Sequence, residues 1–286
     1  MRIVSLLPST TEILFALGAG PDVVGVTFEC DTPAEARTRT IVSTTTMPEG
    51  LTPAEIDAFV VGAVARGEDL YRLDAGALVG LDADLVVTQD LCAVCAVDVS
   101  VVDDALRHLG CTAEVLTFDP HTLEEVLASV EALGRATRRT TEATALVASL
   151  RARLAAVEAT VAARGTVRPR VVVLEWTDPP YAPGHWIPEM VELAGGECVL
   201  GAAGAKSERV LWETVHEARP DLVVVAPCGF DRAASQRIAD DLVASGVLPP
   251  GVRVHAVDAN AHWARPGPRL VDGVEELAGV VASSDA

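Results

Sequence analysis

The sequence predicts an α/β protein of two Rossmann-like lobes joined by one long backbone helix, with a cleft between the lobes. Three observations carry this expectation. From Pro120 to Gly165, apolar residues recur at helical spacing: Leu123, Val126, Leu127, Val130 and Leu133, then Leu146, Leu150, Leu154, Val157 and Val161. A weak internal repeat flanks that stretch. Leu17-Gly18-Ala19-Gly20 is echoed by Leu193-Ala194-Gly195-Gly196, and Leu81-Asp82-Ala83-Asp84-Leu85-Val86-Val87 by Ala218-Arg219-Pro220-Asp221-Leu222-Val223-Val224. Each half also opens on an apolar strand, at Ile3 and at Val171. Copies this far apart mean duplicated α/β units rather than a solenoid. The expected parts are an N-terminal lobe over 1–119, a connecting helical segment over 120–167 and a C-terminal lobe over 168–286.

In chain order, Ile3 to Leu7 reads as a buried strand. Pro8-Ser9-Thr10-Thr11-Glu12 starts a helix, with Ser9 as N-cap and Glu12 completing a capping box. Such a strand–turn–helix sets backbone N–H groups at the carboxyl end of a strand, where open α/β sheets bind ligands. Val23 to Val26 is a strand, and the polar stretch Ile41 to Leu51 reads as loop. Helices are expected over Pro53 to Arg66, Ala77 to Leu81 and Val101 to Leu109. Strands follow at Leu85 to Thr88 and Ala113 to Thr117. Gly134 and the polar run Arg138 to Glu142 suggest a break before the long helix, Thr141 to Ala163, with Thr140 or Thr141 as N-cap. The second half gives strands at Val171 to Glu175, Leu222 to Ala226 and Val252 to Val257. Its helices are Pro188 to Ala194, Trp212 to Glu217, Ala233 to Ser245 and Arg269 to Val281.

Composition narrows the function classes. The chain has 286 residues, half of them hydrophobic, enough for two cores. A formal charge of −19 argues against nucleic acid and anionic membranes as partners. No apolar leader, cleavage site or lipobox cysteine is visible near Met1, which predicts a cytoplasmic protein with its six cysteines reduced. The alternative is an extracytoplasmic protein whose leader has been removed.

Aromatics are only 4% of the chain, so their positions are informative. The strand ends at Phe28, Asp90, Trp176, Phe230 and Trp263 all precede loops rich in Cys, His or ring side chains. In doubly wound lobes those ends share an edge, and Trp176, Trp186 and Trp263 fall there. Two such edges face to face would suit a large, flat, partly apolar ligand.

The opening Ile3-Val4-Ser5-Leu6-Leu7-Pro8-Ser9-Thr10-Thr11-Glu12 can now be placed beside Asp31-Thr32-Pro33, Ala194-Gly195-Gly196-Glu197 and Arg265-Pro266-Gly267-Pro268-Arg269. In order and spacing they resemble the substrate-binding proteins of vitamin B12 and iron-siderophore ABC importers, and the chain is most similar to the cobalamin-binding branch. The resemblance covers nearly the whole chain. It implies a rigid cleft, no catalysis, and cobalamin or a related corrinoid as ligand. It also implies that Tyr181, in Asp178-Pro179-Pro180-Tyr181, lays its ring on the corrin, and that Arg265 contacts the ligand. Ala261 stands where an acidic residue is expected. Glu213 matches the permease-docking glutamate of the second lobe. In the first lobe the matching place is Gly76, with Asp74 the nearest acid, so that dock is incomplete.

Cysteines and histidines complete the candidate set. Cys92-x-x-Cys95, with Cys30 near, admits three readings: buried structural thiols, a soft-metal or redox site, or simple cleft lining. Cys111, Cys198 and Cys228 read as core. His185, between Gly184 and Trp186, is a candidate ligand for cobalt or iron, and His262 is a second. His108, His121, His216 and His255 read as surface or strand-edge residues. The expected ligand site is therefore Ser9, Phe28, Cys30, Asp90, Cys92, Trp176, Tyr181, His185, Trp186, Phe230, Trp263 and Arg265. Two alternatives stand beside a corrinoid binder. One is a haem or iron-siderophore binder of the same fold. The other is a thiol-redox or metal-dependent enzyme using Cys92, Cys95 and His185, which no P-loop, catalytic triad or paired-carboxylate motif supports.

Overall fold

A computed structural model describes residues 1–89, 113–165 and 167–283. Asp90, Cys92, Cys95, Cys111 and the helix expected over Val101 to Leu109 lie outside the described residues. The chain divides into two compact units, Met1–Pro120 with Leu127–Val147, and His121–Val126 with Ala148–Ala286. Each unit carries its own sheet.

In the first unit the described elements are β1 (Ile3–Ser5), α1 (Pro8–Ala16), β2 (Val23–Thr27), β3 (Thr40–Thr45), α2 (Pro53–Arg66), β4 (Tyr71–Leu73), α3 (Ala75–Leu78), β5 (Leu85–Gln89) and β6 (Glu114–Phe118). Their sheet order is β4-β3-β2-β1-β5-β6, parallel throughout except for β4. The chain winds outward from β1 in one direction and resumes at β5 on the other side, which makes β1/β5 a switch point. Val4, Leu6, Val42, Leu78 and Val86 build a core on one face.

Several local expectations are corrected here, and the break before the long helix is present but falls in the polar run rather than at Gly134. Ser9 does not cap α1, which starts two residues earlier than that cap would place it, at Pro8, with Leu7 at the cap position and no side-chain cap. Proline at the first helical position has its φ already set. Ser9 is buried inside the helix, and Glu12 is buried as well. The hydroxyls form a network instead. Thr10 Oγ1 lies 2.7 Å from Ser5 Oγ, Thr11 Oγ1 donates to Ser5 Oγ at 2.8 Å, and Thr11 Oγ1 lies 3.0 Å from Cys30 Sγ. The stretch from Ile41 is not loop but β3. Its threonines suit a strand, and buried Ser43 pairs with Thr27 across the sheet at 2.6 Å. Gly134 is not a break. It sits inside α4 (Leu123–Ala136), where an added Cβ would come within 2.3 Å of the Ala143 side chain. The turn falls after it, at Arg138, whose φ is 59°. The long helix α5 follows as Thr140–Arg164, so both candidate caps lie inside it.

The second unit holds β7 (Arg170–Leu174), β8 (Trp176–Thr177), β9 (Pro180–Ala182), α6 (Ile187–Leu193), β10 (Glu197–Cys198), β11 (Glu208–Arg209), α7 (Trp212–Glu217), β12 (Leu222–Val225), α8 (Arg232–Ser245), β13 (Arg253–Ala256), α9 (Ala259–His262) and α10 (Leu270–Ala282). The main sheet is parallel, in the order β10-β7-β12-β13. It is covered on both faces, which is why its strands are unbroken apolar runs. Val171, Val173, Leu222 and Val224 face a core shared with Trp186, Met190, Trp263, Leu270 and Leu277. Val172, Leu174, Val223 and Val225 face the other, with Val215, Ala239 and Leu242. Helix α5 packs on the first face through Val157, with Leu154 partly buried. Leu150 is also buried.

Candidate functional site

The switch point of the second sheet lies between β7 and β12, and the loops after both strands meet there. The loop after β7 turns at once into the hairpin β8–β9, which pairs Trp176 with Tyr181 and Thr177 with Pro180. Strand β11 adds to its other side, pairing Arg209 with Tyr181. Directly opposed residues share a face, so Trp176, Tyr181 and Arg209 stand in one row. The loop after β12 brings Phe230 against Trp176, ring centres 5.7 Å apart and edge-on. Trp176, Tyr181 and Phe230 are half-buried and Arg209 is exposed. Sequence alone did not single out Arg209, because a two-residue strand leaves no periodic signal.

Glu175 fastens this platform to the sheet. Its Oε1 accepts from the Gly184 amide at 2.9 Å, and its Oε2 accepts from the Ser207 hydroxyl. Burial pushes its carboxyl up to about 7, against the opposing pull of the Ser207 and Gly184 hydrogen bonds. A carboxyl that closes an apolar strand is the only trace of this role in the sequence. The chain beside it runs backbone against backbone. At Gly184 an added Cβ would lie 2.4 Å from the Ser207 nitrogen.

The remaining candidates fall in different settings. Trp186 and Trp263 are core, not lining. Trp186 is 4% exposed and Trp263 is fully buried, and the Trp186 indole donates to the Trp263 carbonyl at 2.8 Å. Their neighbours in α6 and α10 are apolar and need filling, which claims both rings. Arg265 is nearly buried, 9% exposed. Ser9 and Cys30 are buried in the first unit, where a thiol and hydroxyls satisfy one another. Phe28 is 37% exposed at the carboxyl end of β2, its ring 5.9 Å from that of Tyr71. The Tyr71 hydroxyl donates to Glu29 at 3.3 Å. A depression of about 500 Å³ opens beside Tyr71, between α2 and β4, lined also by Thr46, Phe59 and Asp69.

His185 is half-buried, at a φ of 50°. Its amide donates to the Ala205 carbonyl at 2.6 Å, and its carbonyl accepts from Gly204 at 3.0 Å. Its ring lies 5.4 Å from that of His121 and 5.6 Å from that of Trp186. His262 is half-buried. Its Nε2 lies 3.4 Å from an Arg269 nitrogen and therefore accepts, and its Nδ1 is 3.8 Å from Glu276. Burial alone would raise the Glu276 carboxyl, but His255, His262 and Arg232 outweigh it and hold the group well below the usual range. Of the cysteines read as core, Cys228 is exposed, because its loop leaves the sheet at the switch point. Cys198 is half-buried, and burial pushes its thiol up to about 11. Among the described residues no three His, Cys, Asp or Glu are grouped to hold a metal, and no helix is long and apolar enough to cross a membrane. Glu213 is exposed in the first turn of α7, after exposed Leu211.

Two α/β units, one with an aromatic row at its switch point, define a class of small-molecule-binding proteins. The chain belongs to the periplasmic binding protein family, which it matches over residues 3–248. It is 28% identical over 290 residues to an uncharacterized ABC transporter substrate-binding lipoprotein, YvrC, of Bacillus subtilis, covering 97% of this chain and 78% of the relative. It is 28% identical over 283 residues to a cobalamin-binding protein of Halobacterium salinarum, covering 97% and 68%. Among solved structures, the periplasmic heme-binding protein RhuT of Roseiflexus sp. RS-1 aligns with a TM-score of 0.73 at 22% identity, over 100% of this chain and 99% of that one. The periplasmic vitamin B12 binding protein BtuF of Vibrio cholerae gives 0.71 at 20%, over 99% and 97%. The family consists of transporter substrate-binding proteins, which bind small molecules and dock to permeases. This membership overturns the cytoplasmic expectation, since the relatives are periplasmic proteins or lipoproteins. Where such a protein works is set by its export, which leaves no mark on the folding of its lobes.

Proposed function

We propose that this protein captures a corrinoid, cobalamin or a precursor, for an ABC importer, without catalysing a reaction on it. The observation that carries the reading is the row Trp176, Tyr181 and Arg209 with Phe230 at the switch point of the second sheet. Rings cover a broad, flat ligand with little loss of entropy, and an arginine at the end of the row meets its amide or phosphate oxygens. The cobalamin-binding relative, at 28% identity over nearly the whole chain, points the same way. Exposed Glu213 beside exposed Leu211 suits a docking contact on the second unit. In the first unit Asp74 is exposed but already caps α3 through the Ala77 amide at 3.0 Å. Haem is the second reading, favoured by the half-buried His185 and by heme-binding proteins of the same fold.

Titration with cyanocobalamin, cobinamide and hemin, followed by absorption and tryptophan fluorescence, tests this. Quenching by the corrinoids is expected, and Trp176→Ala should weaken binding by about 1–3 kcal/mol, as loss of an aromatic anchor does. Hemin binding without corrinoid binding would promote the second reading. Binding of neither would sink both.

A further inference from the structure

With the aromatic row read as the ligand site, on which this rests, we infer that Glu175 is its positioning residue, holding the row in its binding arrangement as a carboxylate. The amide, the carbonyl and both carboxyl oxygens of Glu175 are all used, each on a different segment of the second unit. Its amide donates to the Tyr181 carbonyl in β9 at 3.2 Å, and its carbonyl accepts from the Cys228 amide after β12 at 3.2 Å. Its Oε1 accepts from the Gly184 amide at 2.9 Å, and its Oε2 accepts from the Ser207 hydroxyl. These ties reach every member of the row within two residues. Trp176 is next in the chain, Tyr181 is held directly, Phe230 lies two residues after Cys228, and Arg209 lies two residues after Ser207.

Strand β11 has only two residues, so its ladder is short and the Ser207 bond adds to it. Ionised, the carboxyl accepts from both donors, and bonds to a charged acceptor are the stronger kind. Protonated, it carries its hydrogen on Oε2, because Oε1 faces the Gly184 N–H. The Ser207 hydroxyl then has to turn round and accept, and the bond becomes a neutral one. The charged form thus holds Arg209 in the row more firmly. The ligand prefers that form, and binding releases a proton. The folded chain holds this carboxyl at about 7, so affinity rises as pH passes through neutrality. A glutamine would fill the same space with no charge to bury, so the carboxylate weakens folding for the sake of the site. The charged and titratable groups on the segments around it are Asp178 in the hairpin turn, His185 after Gly184, Lys206, Glu208 and Arg209 about Ser207, and Cys228 after β12. All but half-buried His185 are exposed. Burial, opposed by the Ser207 and Gly184 bonds, sets the proton affinity of Glu175 rather than any of these.

The test measures the affinity of the full chain for cyanocobalamin, with hemin alongside, by tryptophan fluorescence from pH 5.5 to 8.5. Wild-type affinity should rise about three- to tenfold across that range. Glu175→Gln presents an amide N–H where the protonated acid presents its O–H. It should bind like the wild type at pH 5.5, show a flat profile, and so bind more weakly at pH 8.5 although it is the more stable protein there. Ser207→Ala should weaken binding at pH 8.5 by a similar factor, and the double change should be no worse than either alone. A merely structural role would let the more stable variant bind at least as well. Four results overturn the inference and leave the ligand site standing: wild-type affinity that is flat or falls with pH, a Gln variant as tight as wild type at pH 8.5, losses that add in the double variant, or a profile abolished by His185→Asn instead. Binding of neither ligand at any pH removes the site and the inference together.

Discussion

Replacing Glu175 by Gln should change how stability depends on pH, and the direction follows from burial. The folded chain holds this carboxyl at about 7, against 4.5 for an ordinary one. Below pH 4.5 the group is protonated in both folded and unfolded chains and contributes nothing. Between 4.5 and 7 the unfolded chain releases its proton and the folded chain keeps it, so stability falls as pH rises. Above 7 both are ionised and the penalty is complete, roughly 3 kcal/mol by linkage. Gln keeps the volume and an acceptor oxygen for Gly184, but cannot ionise. Urea unfolding at intervals from pH 4.5 to 8.5 should show variant and wild type nearly equal at the acid end. The variant should then gain on the wild type up to about pH 7.5, by as much as about 3 kcal/mol. The general self-repulsion of a chain with charge −19 affects both proteins and cancels in the difference. Parallel curves, or a wild type that gains on the variant with pH, would refute the reasoning.

Three further outcomes are expected. Leu150→Ala, at a buried position on α5, should cost about 2–5 kcal/mol in urea unfolding; a loss near zero would mean that this face is solvated. Gly134→Ala should destabilise, because overpacking against Ala143, about 1–3 kcal/mol, outweighs a helix-propensity gain of about 1; a higher melting temperature would show that the two helices part freely. Trp186→Phe should cost about 1–3 kcal/mol by leaving the Trp263 carbonyl unpaired, yet leave ligand affinity unchanged. A selective loss of binding would return Trp186 to the site.

Much of the architecture was legible because buried parallel strands are apolar without interruption. Val171-Val172-Val173-Leu174 and Leu222-Val223-Val224-Val225 announce themselves, and α7 falls over Trp212–Glu217 as its pattern suggests. β3 was hidden because its inward groups are Val42 and Ser43, so half its core is a hydroxyl pair rather than a hydrocarbon. The site was harder to read. Trp176 and Trp186 look alike in sequence, each at the edge of a loop, and only packing separates a ring left at the switch point from one consumed by the core. His121 meets His185 from far along the chain, ring centres 5.4 Å apart, and no local pattern foretells such a meeting.

The boundary between the two units has a consequence for synthesis. Reading from Met1, the chain leaves the first unit at Pro120, returns at Leu127 and departs again only after Val147, inside α5. No single cut therefore yields two whole units. A ribosome that has made residue 120 has not finished the first unit, which waits for α4 and the opening turns of α5. The six residues His121–Val126, made early, wait for a sheet whose first strand starts at Arg170. Truncations placed between the apparent halves should yield fragments that fold only when supplied together.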